Sequence, residues 1–320
     1  MEIRRISRRR FIKQAIVAGS VLPLINTAGA NENNYKRSFS ICIFSKHLQW
    51  LDYNGMAQTT AELGFDGIDL TVRNGGHVLP ERVEDDLPKA VEALKSAGVK
   101  PLMMATDIND PDDPNTEKIL RTASALGIPY YRLGKYRYND NKSIAATLNE
   151  AKPKIQEIAA MNKHYNIHGD YQNHAGSRYV GATVWDLWEL IKDLDPAYIG
   201  CQFDIRHATV EGGQAWPIHL KLISNWINTL AIKDFFWEKQ KNKWLPVNCP
   251  LGKGAVDFAG YLQLLKKLSI AGPISVHYEY DLGGANHGAA KLTVKKEKVL
   301  AAIRRDLDFL KNTLRENNLY

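Results

Sequence analysis

The densest run of side chains able to do chemistry is Asn166-Ile167-His168-Gly169-Asp170-Tyr171-Gln172-Asn173-His174. His168, Asp170, Gln172 and His174 share one parity, so an extended chain places them on one face. Unpaired polar groups in a core cost kilocalories, so a buried strand does not spend four positions this way without compensation. His174 and Gln172 are the functional candidates, and His168 and Asp170, deeper in the run, are supporting groups. The alternative is a structural hydrogen-bond network. A second constellation is Gln202-Phe203-Asp204-Ile205-Arg206-His207, where Asp204 and His207 are three apart at the end of an apolar run. A carboxylate plus an imidazole suits Mn²⁺, Co²⁺, Fe²⁺ or Zn²⁺; Asp204 could instead cap a turn. In Ala231-Ile232-Lys233-Asp234, Lys233 shares parity with Ala231 and is placed to neutralise a developing oxyanion or orient a hydroxyl, the alternative being salt-bridge support. In Val276-His277-Tyr278-Glu279-Tyr280, His277 and Glu279 share parity, with Glu279 nearer the rim as ligand or base.

Each constellation closes a short β-rich run, and the runs alternate with helical patterns. Strands are expected at Phe39–Phe44, Gly67–Val72, Val99–Ala105, Tyr130–Lys135, Tyr165–Tyr171, Ile199–Asp204, Thr229–Phe235 and Ile274–Glu279. Helices are expected at Val83–Ala97, Asn115–Leu126, Ile144–Lys163, Gly181–Lys192, Trp216–Asn228, Phe258–Leu268 and Val294–Leu314, with Gly64, Gly98 and Gly127 as stops. This alternation predicts a single (β/α)8 TIM barrel, whose catalytic groups come from the C-terminal ends of its strands. A doubly wound sheet would show a glycine-rich loop after its first strand. Here Ser45-Lys46-His47-Leu48-Gln49-Trp50 follows instead.

Other chemistries lack their signatures. There is no phosphate-cradling Gly-x-x-x-x-Gly-Lys-Ser/Thr loop and no Gly-x-Ser-x-Gly nucleophile elbow. Three cysteines, Cys42, Cys201 and Cys249, make no even disulfide framework. Trp185 and Trp188 lie on a helical pattern, whereas Trp216, Trp237 and Trp244 follow strands and are candidates for lining a pocket.

The N-terminus reads as an address. Ser7-Arg8-Arg9-Arg10-Phe11-Ile12-Lys13, an apolar run from Ala15 to Ile25 and Ala28-Gly29-Ala30 form a twin-arginine export signal over residues 1–30. That apolar run, interrupted by Gly19 and Pro23, falls short of the roughly 20 residues a membrane span needs. The expected mature domain is 31–320 and the expected location periplasmic. The leader carries +5 of the formal net charge of +7, so the basic balance gives no case for nucleic acid.

In Gly64-Phe65-Asp66-Gly67-Ile68-Asp69, Tyr171-Gln172-Asn173-His174, Asp204-Ile205-Arg206-His207, Ile232-Lys233-Asp234 and Glu279, the chain resembles the xylose-isomerase-like superfamily of sugar isomerases and epimerases. The resemblance covers the whole mature chain. It implies one divalent metal ion, held in relatives by Glu, Asp, His and Glu from strands five to eight. By position Asp204 and Glu279 match metal ligands, and His207 matches a histidine that contacts substrate. Gln172 stands at the first glutamate position and Ala231 at the histidine position, so the expected ligand set is Gln172, Asp204, His207 and Glu279. His174, His207, Lys233 and Glu279 are the expected catalytic groups, with His168, Asp170, Arg206 and His277 in support.

The exported subset of that superfamily looks like barrels that work beside secreted sugar oxidoreductases. The resemblance therefore implies a small sugar or glycoside as substrate and functional coupling to such an oxidoreductase. The main expectation is a lyase or hydratase acting on 3-keto-glycosides or 3-keto-2-hydroxyglucal through an enediolate. The alternatives are an isomerase or epimerase of a non-phosphorylated keto sugar, and a non-catalytic carbohydrate-binding barrel.

Overall fold

Strands buried on both faces need near-continuous apolar runs, and Ile41–Phe44 and Ile199–Asp204 are such runs, buried throughout. In the computed structural model, which describes residues 39–320, they become two staves of a closed parallel barrel. The staves are β1 (Ile41–Phe44), β2 (Gly67–Thr71), β3 (Lys100–Ala105), β4 (Tyr130–Arg132), β5 (His168–Gln172), β6 (Ile199–Asp204) and β7 (Ile227–Ile232). The chain then makes an antiparallel hairpin, β8 (Asp234–Gln240) and β9 (Lys243–Cys249), before the last stave, β10 (Ile274–Val276). The order β1-β10-β7-β6-β5-β4-β3-β2 closes the (β/α)8 barrel that the alternation predicts. The expected leader, residues 1–30, lies outside the described residues.

Helices surround the staves: α1 (Tyr53–Leu63), α2 (Val83–Ser96), α3 (Thr116–Ala125), α4 (Ile144–Tyr165), α5 (Trp185–Ile191), α6 (Ile205–Gly212), α7 (Trp216–Ile223), α8 (Phe258–Lys267) and α9 (Lys296–Glu316). In α9 the buried Val299, Ile303, Leu307, Leu310 and Leu314 recur every three or four residues and form one apolar stripe. Burying each stabilises the fold by about 1.5–3 kcal/mol relative to exposure. Gly64 ends α1 at φ 85°, a left-handed conformation that costs glycine no Cβ clash.

Several expected boundaries move. α4 runs through Tyr165 and ends on Asn166 at φ 50°, so the fifth strand begins at His168 rather than Tyr165. The expected strand Thr229–Phe235 splits, because Lys233 leaves the sheet between β7 and the hairpin. β10 stops at Val276, which leaves His277 and Glu279 beyond its end. The helix expected from Gly181 starts only at Trp185, after Gly181 at φ 89° and Val184 at φ 56°. All three cysteines are buried free thiols.

At the opposite end from the mouth, His168 and Asp170 close a structural network. His168 Nδ1 donates to the Ala197 carbonyl at 2.9 Å, and its Nε2 faces Asp170 Oδ1 at 2.9 Å. Thr229 donates to Asp170 Oδ2 at 2.6 Å. Gly200 leaves room for this crossing, since a Cβ there would stand 2.7 Å from Asp170 Oδ1. With both ring nitrogens facing acceptors, the network favours imidazolium: burial pushes the His168 pKa down, but the charge and hydrogen bond of Asp170 raise it overall.

Candidate active site

The C-terminal ends of the staves bring Lys46, Arg132, Gln172, Asp204, Lys233 and Glu279 together. Lys233 is the centre. Its Nζ lies 3.2 Å from Asp204 Oδ2 and 3.2 Å from Glu279 Oε2, with 3% of the side chain exposed. Asp204 ends β6 and caps α6, its Oδ1 accepting from the His207 N–H at 3.0 Å. The expected capping role and the expected site role therefore fall on the same residue. Its Oδ2 also accepts from Gln172 Nε2 at 2.8 Å. Gln172 Oε1 in turn accepts from Arg132 Nη1 at 3.2 Å.

The two carboxylates respond differently to one ammonium. Asp204 is wholly buried, and burial raises its pKa despite Lys233. The Glu279 side chain is 26% exposed and also meets Lys46 Nζ at 3.4 Å. There burial pushes up, but Lys233 and Lys46 more than reverse it and hold Glu279 ionised. Lys46 itself is lowered by burial to about 8, Glu279 opposing.

Two imidazoles pack on this centre. The His174 and His207 rings lie 4.1 Å apart between centroids. His174 Nδ1 faces the Ala175 carbonyl at 2.9 Å, so it carries the proton and leaves a lone pair on Nε2. Burial, then Lys135 and Lys233, lower the His174 pKa to about 3. His207 Nδ1 accepts from Arg206 Nη1 at 3.2 Å, which puts the proton on Nε2, 3.5 Å from Asp204 Oδ2. Burial, followed by Lys233 and His174, keeps His207 neutral. His277 stacks on Phe44 at 4.6 Å; its Nε2 reaches Ser275 Oγ at 3.2 Å, and its Nδ1 lies 3.9 Å from Glu279 Oε1.

The structure thus brings together Gln172, His174, Asp204, Arg206, His207, Lys233, His277 and Glu279, while His168 and Asp170 belong to the barrel floor. Sequence reasoning missed Lys46, Arg132 and Lys135. The signal for two of them was positional, since Lys46 follows an expected strand and Lys135 ends one; Arg132 lay inside the expected strand Tyr130–Lys135 and ends the observed one. The tryptophans contribute less than expected, since Trp216 is buried beside Tyr261 and Trp237 and Trp244 are exposed on the hairpin.

The donor set does not fit the expected divalent ion. An ammonium bridges Asp204 and Glu279, the two carboxylates expected to share the metal. Gln172 turns its NH₂ toward Asp204 and commits its amide oxygen, the only ligating atom it has, to Arg132. Ala231, beside Asp204 in the β6–β7 register, offers no donor atom. Among the described residues no three His, Cys, Asp or Glu side chains converge to hold a metal ion. A divalent ion here would meet Lys233 head-on, and like charges at such range repel strongly.

Residues 57–313 match the family described as xylose isomerase-like TIM barrel. Among solved structures, the fold is similar to D-psicose 3-epimerase from Clostridium cellulolyticum H10, with a TM-score of 0.65 and 12% identity, covering 86% of this chain and 99% of that one. It is similar also to 3-keto-D-glucoside 4-epimerase from E. coli, with a TM-score of 0.63 and 13% identity, covering 86% of this chain and 100% of that one. An uncharacterized protein of Methanocaldococcus jannaschii is 28% identical over 123 residues, a stretch that spans 38% of this chain and 40% of that protein. The chain belongs to the xylose isomerase-like TIM-barrel family.

Proposed function

We propose that this enzyme moves a proton at the carbon beside the carbonyl of a keto sugar or keto-glycoside, as an epimerase or isomerase working through an enediolate. The observation that carries this reading is Lys233, a buried ammonium held at 3.2 Å from each of two carboxylates at the barrel mouth. It is a fixed positive charge where an enolising sugar develops an oxyanion, in a site that water screens poorly. His174 Nε2 takes the proton on the β5 side. Lys46, paired with Glu279 on the β1–β10 side, returns one to the opposite face. Return to the same carbon gives the epimer, and return to the neighbouring carbon gives the isomer. Asp204 and Gln172 position Lys233, and Arg206 fixes the tautomer of His207.

The epimerase names of the similar structures favour this reading over elimination or hydration, and one of them names a keto-glucoside. The leader adds a periplasmic setting and a substrate supplied by an exported sugar oxidoreductase that makes the carbonyl. The test is incubation with 3-keto-glucosides and free keto sugars in D₂O, followed by NMR. Deuterium at one C–H with no change in ultraviolet absorbance supports epimerisation or isomerisation. Growth or loss of enone absorbance shifts the reading to a lyase or hydratase, and binding with neither signal leaves a carbohydrate-binding barrel.

A further inference from the structure

Beside the Lys233 centre lies a cavity of ≈ 270 Å³ whose lining includes Arg73, Arg132, Lys135 and Arg137 and one carboxylate, Asp107. Asp107 is exposed, while Arg132 is buried at 6% exposure. Among the described residues, ion pairs form elsewhere around the mouth, as at Lys46 and Lys233, but none involves these four cations. Aromatic faces hold them instead. The Arg73 and Arg132 guanidinium carbons stand 5.4 and 5.1 Å from the Phe44 ring centroid. Lys135 Nζ and the Arg137 guanidinium carbon stand 5.1 and 5.0 Å from that of Tyr179. The nearby buried Asp69 accepts from Ser275 through Oδ2 at 2.6 Å and is the leading counter-charge to Arg132, with no direct ion pair between them.

Cations gathered this way repel, and Asp69, Asp107 and Glu279 offset the burial of Arg132 only in part, since its pKa is lowered overall. The strain registers on Lys135, whose pKa burial, then Arg132 and Lys233, lower to about 7. A neutral sugar would supply no compensation. Arg132 ties the cavity lining to the reacting centre, since Arg132 bonds Gln172, Gln172 bonds Asp204 and Asp204 pairs with Lys233. We infer that the keto sugar carries an oxyanion, a carboxylate or a phosphoryl group, seated on Arg73, Arg132 and Lys135 while its carbonyl meets Lys233. Guanidinium forks suit both groups. This names the substrate class for the proton transfer proposed above and rests on that reading.

The test is isothermal titration calorimetry of the full chain with D-glucuronate, D-glucose 6-phosphate and D-glucose as probes. At least one anionic sugar should bind about tenfold tighter than glucose, a difference of about 1.4 kcal/mol, and lose that advantage as KCl is added. The preferred anion identifies the group as carboxylate or phosphoryl. The double variant Arg73→Gln/Lys135→Gln, checked by thermal melting, should lose the preference. If it fails to fold, the salt dependence of the wild type decides. Equal affinity for glucose and both anions, no binding of either anion, or a preference that survives the double variant or high salt would overturn the inference. Solvent exchange is read separately on the wild type with neutral and acidic keto sugars. Exchange with only neutral ones overturns the anion site and leaves the proton transfer standing. Exchange with none breaks the proton-transfer reading while calorimetry still judges the anion site.

Discussion

Lys233 Nζ stands 3.2 Å from Asp204 Oδ2, with 3% of the lysine side chain and none of the aspartate side chain exposed. Removing one partner of such a pair strands the other charge, which typically costs about 3–5 kcal/mol. Lys233→Met should therefore lower unfolding free energy by an amount of that order in urea titration. In protein that remains folded, it should also slow solvent exchange by about 10²–10³-fold, the usual effect of losing an oxyanion donor. Unchanged exchange in folded Lys233→Met would remove Lys233 from the chemistry.

Glu279→Gln keeps the shape but leaves Lys46 and Lys233 without a shared carboxylate. Turnover should fall at least about 10²-fold, the lower end for acid–base catalysis, because Lys46, the proton donor, loses the carboxylate that places it. Full activity in this variant would sink the proposed site.

His174→Phe should abolish exchange through loss of the Nε2 lone pair, whereas Arg206→Gln should weaken it by releasing the His207 tautomer. The pH profile carries the sign. His174, held to about 3, is already neutral across ordinary pH. Its protonation should impose no acid limb between about pH 5 and 7, where an ordinary histidine would. Lys46, held to about 8, can donate only below that value, so kcat/KM should decline as pH rises through it. Lys46→Gln should lower the rate and erase that basic limb. A limb that persists unchanged in the variant assigns the acid elsewhere.

The barrel was legible because parallel strands buried on both faces write themselves as apolar runs between helices. The end of an apolar run found Asp204, and parity along the runs found Lys233 and Glu279. Depth along the fifth run set His168 and Asp170 apart as supporting groups, but it did not show that their network lies at the barrel floor, away from the site. The hairpin was hidden because Phe235-Phe236-Trp237 looks like a strand continuing. Lys46, Arg132 and Lys135 were missed because a lone basic residue in or just after a strand resembles a solvated one. The ligand pattern suggested a metal, since spacing does not reveal that the next inward side chain after Ala231 places its ammonium between the two carboxylates.

The barrel floor gives a stability signature of its own. The His168 pKa is raised overall in the fold, with Asp170 overcoming burial, so the fold binds the proton more tightly than the unfolded chain does. That contribution is fully present below the ordinary histidine value of about 6.5 and is lost as pH rises through the folded value. The difference in urea stability between wild type and His168→Gln should therefore shrink with rising pH. A gap that widens would contradict the His168–Asp170 pairing.

The central claim is that Lys233, and not a divalent ion, supplies the positive charge at the reacting carbonyl. Its most direct test is solvent-deuterium incorporation into a keto sugar by protein stripped with a chelator and verified metal-free by elemental analysis. Exchange should survive stripping, gain nothing from added Mn²⁺, Co²⁺ or Zn²⁺, and disappear in Lys233→Met. Loss of exchange on stripping, with recovery when one of those ions is returned, would contradict it.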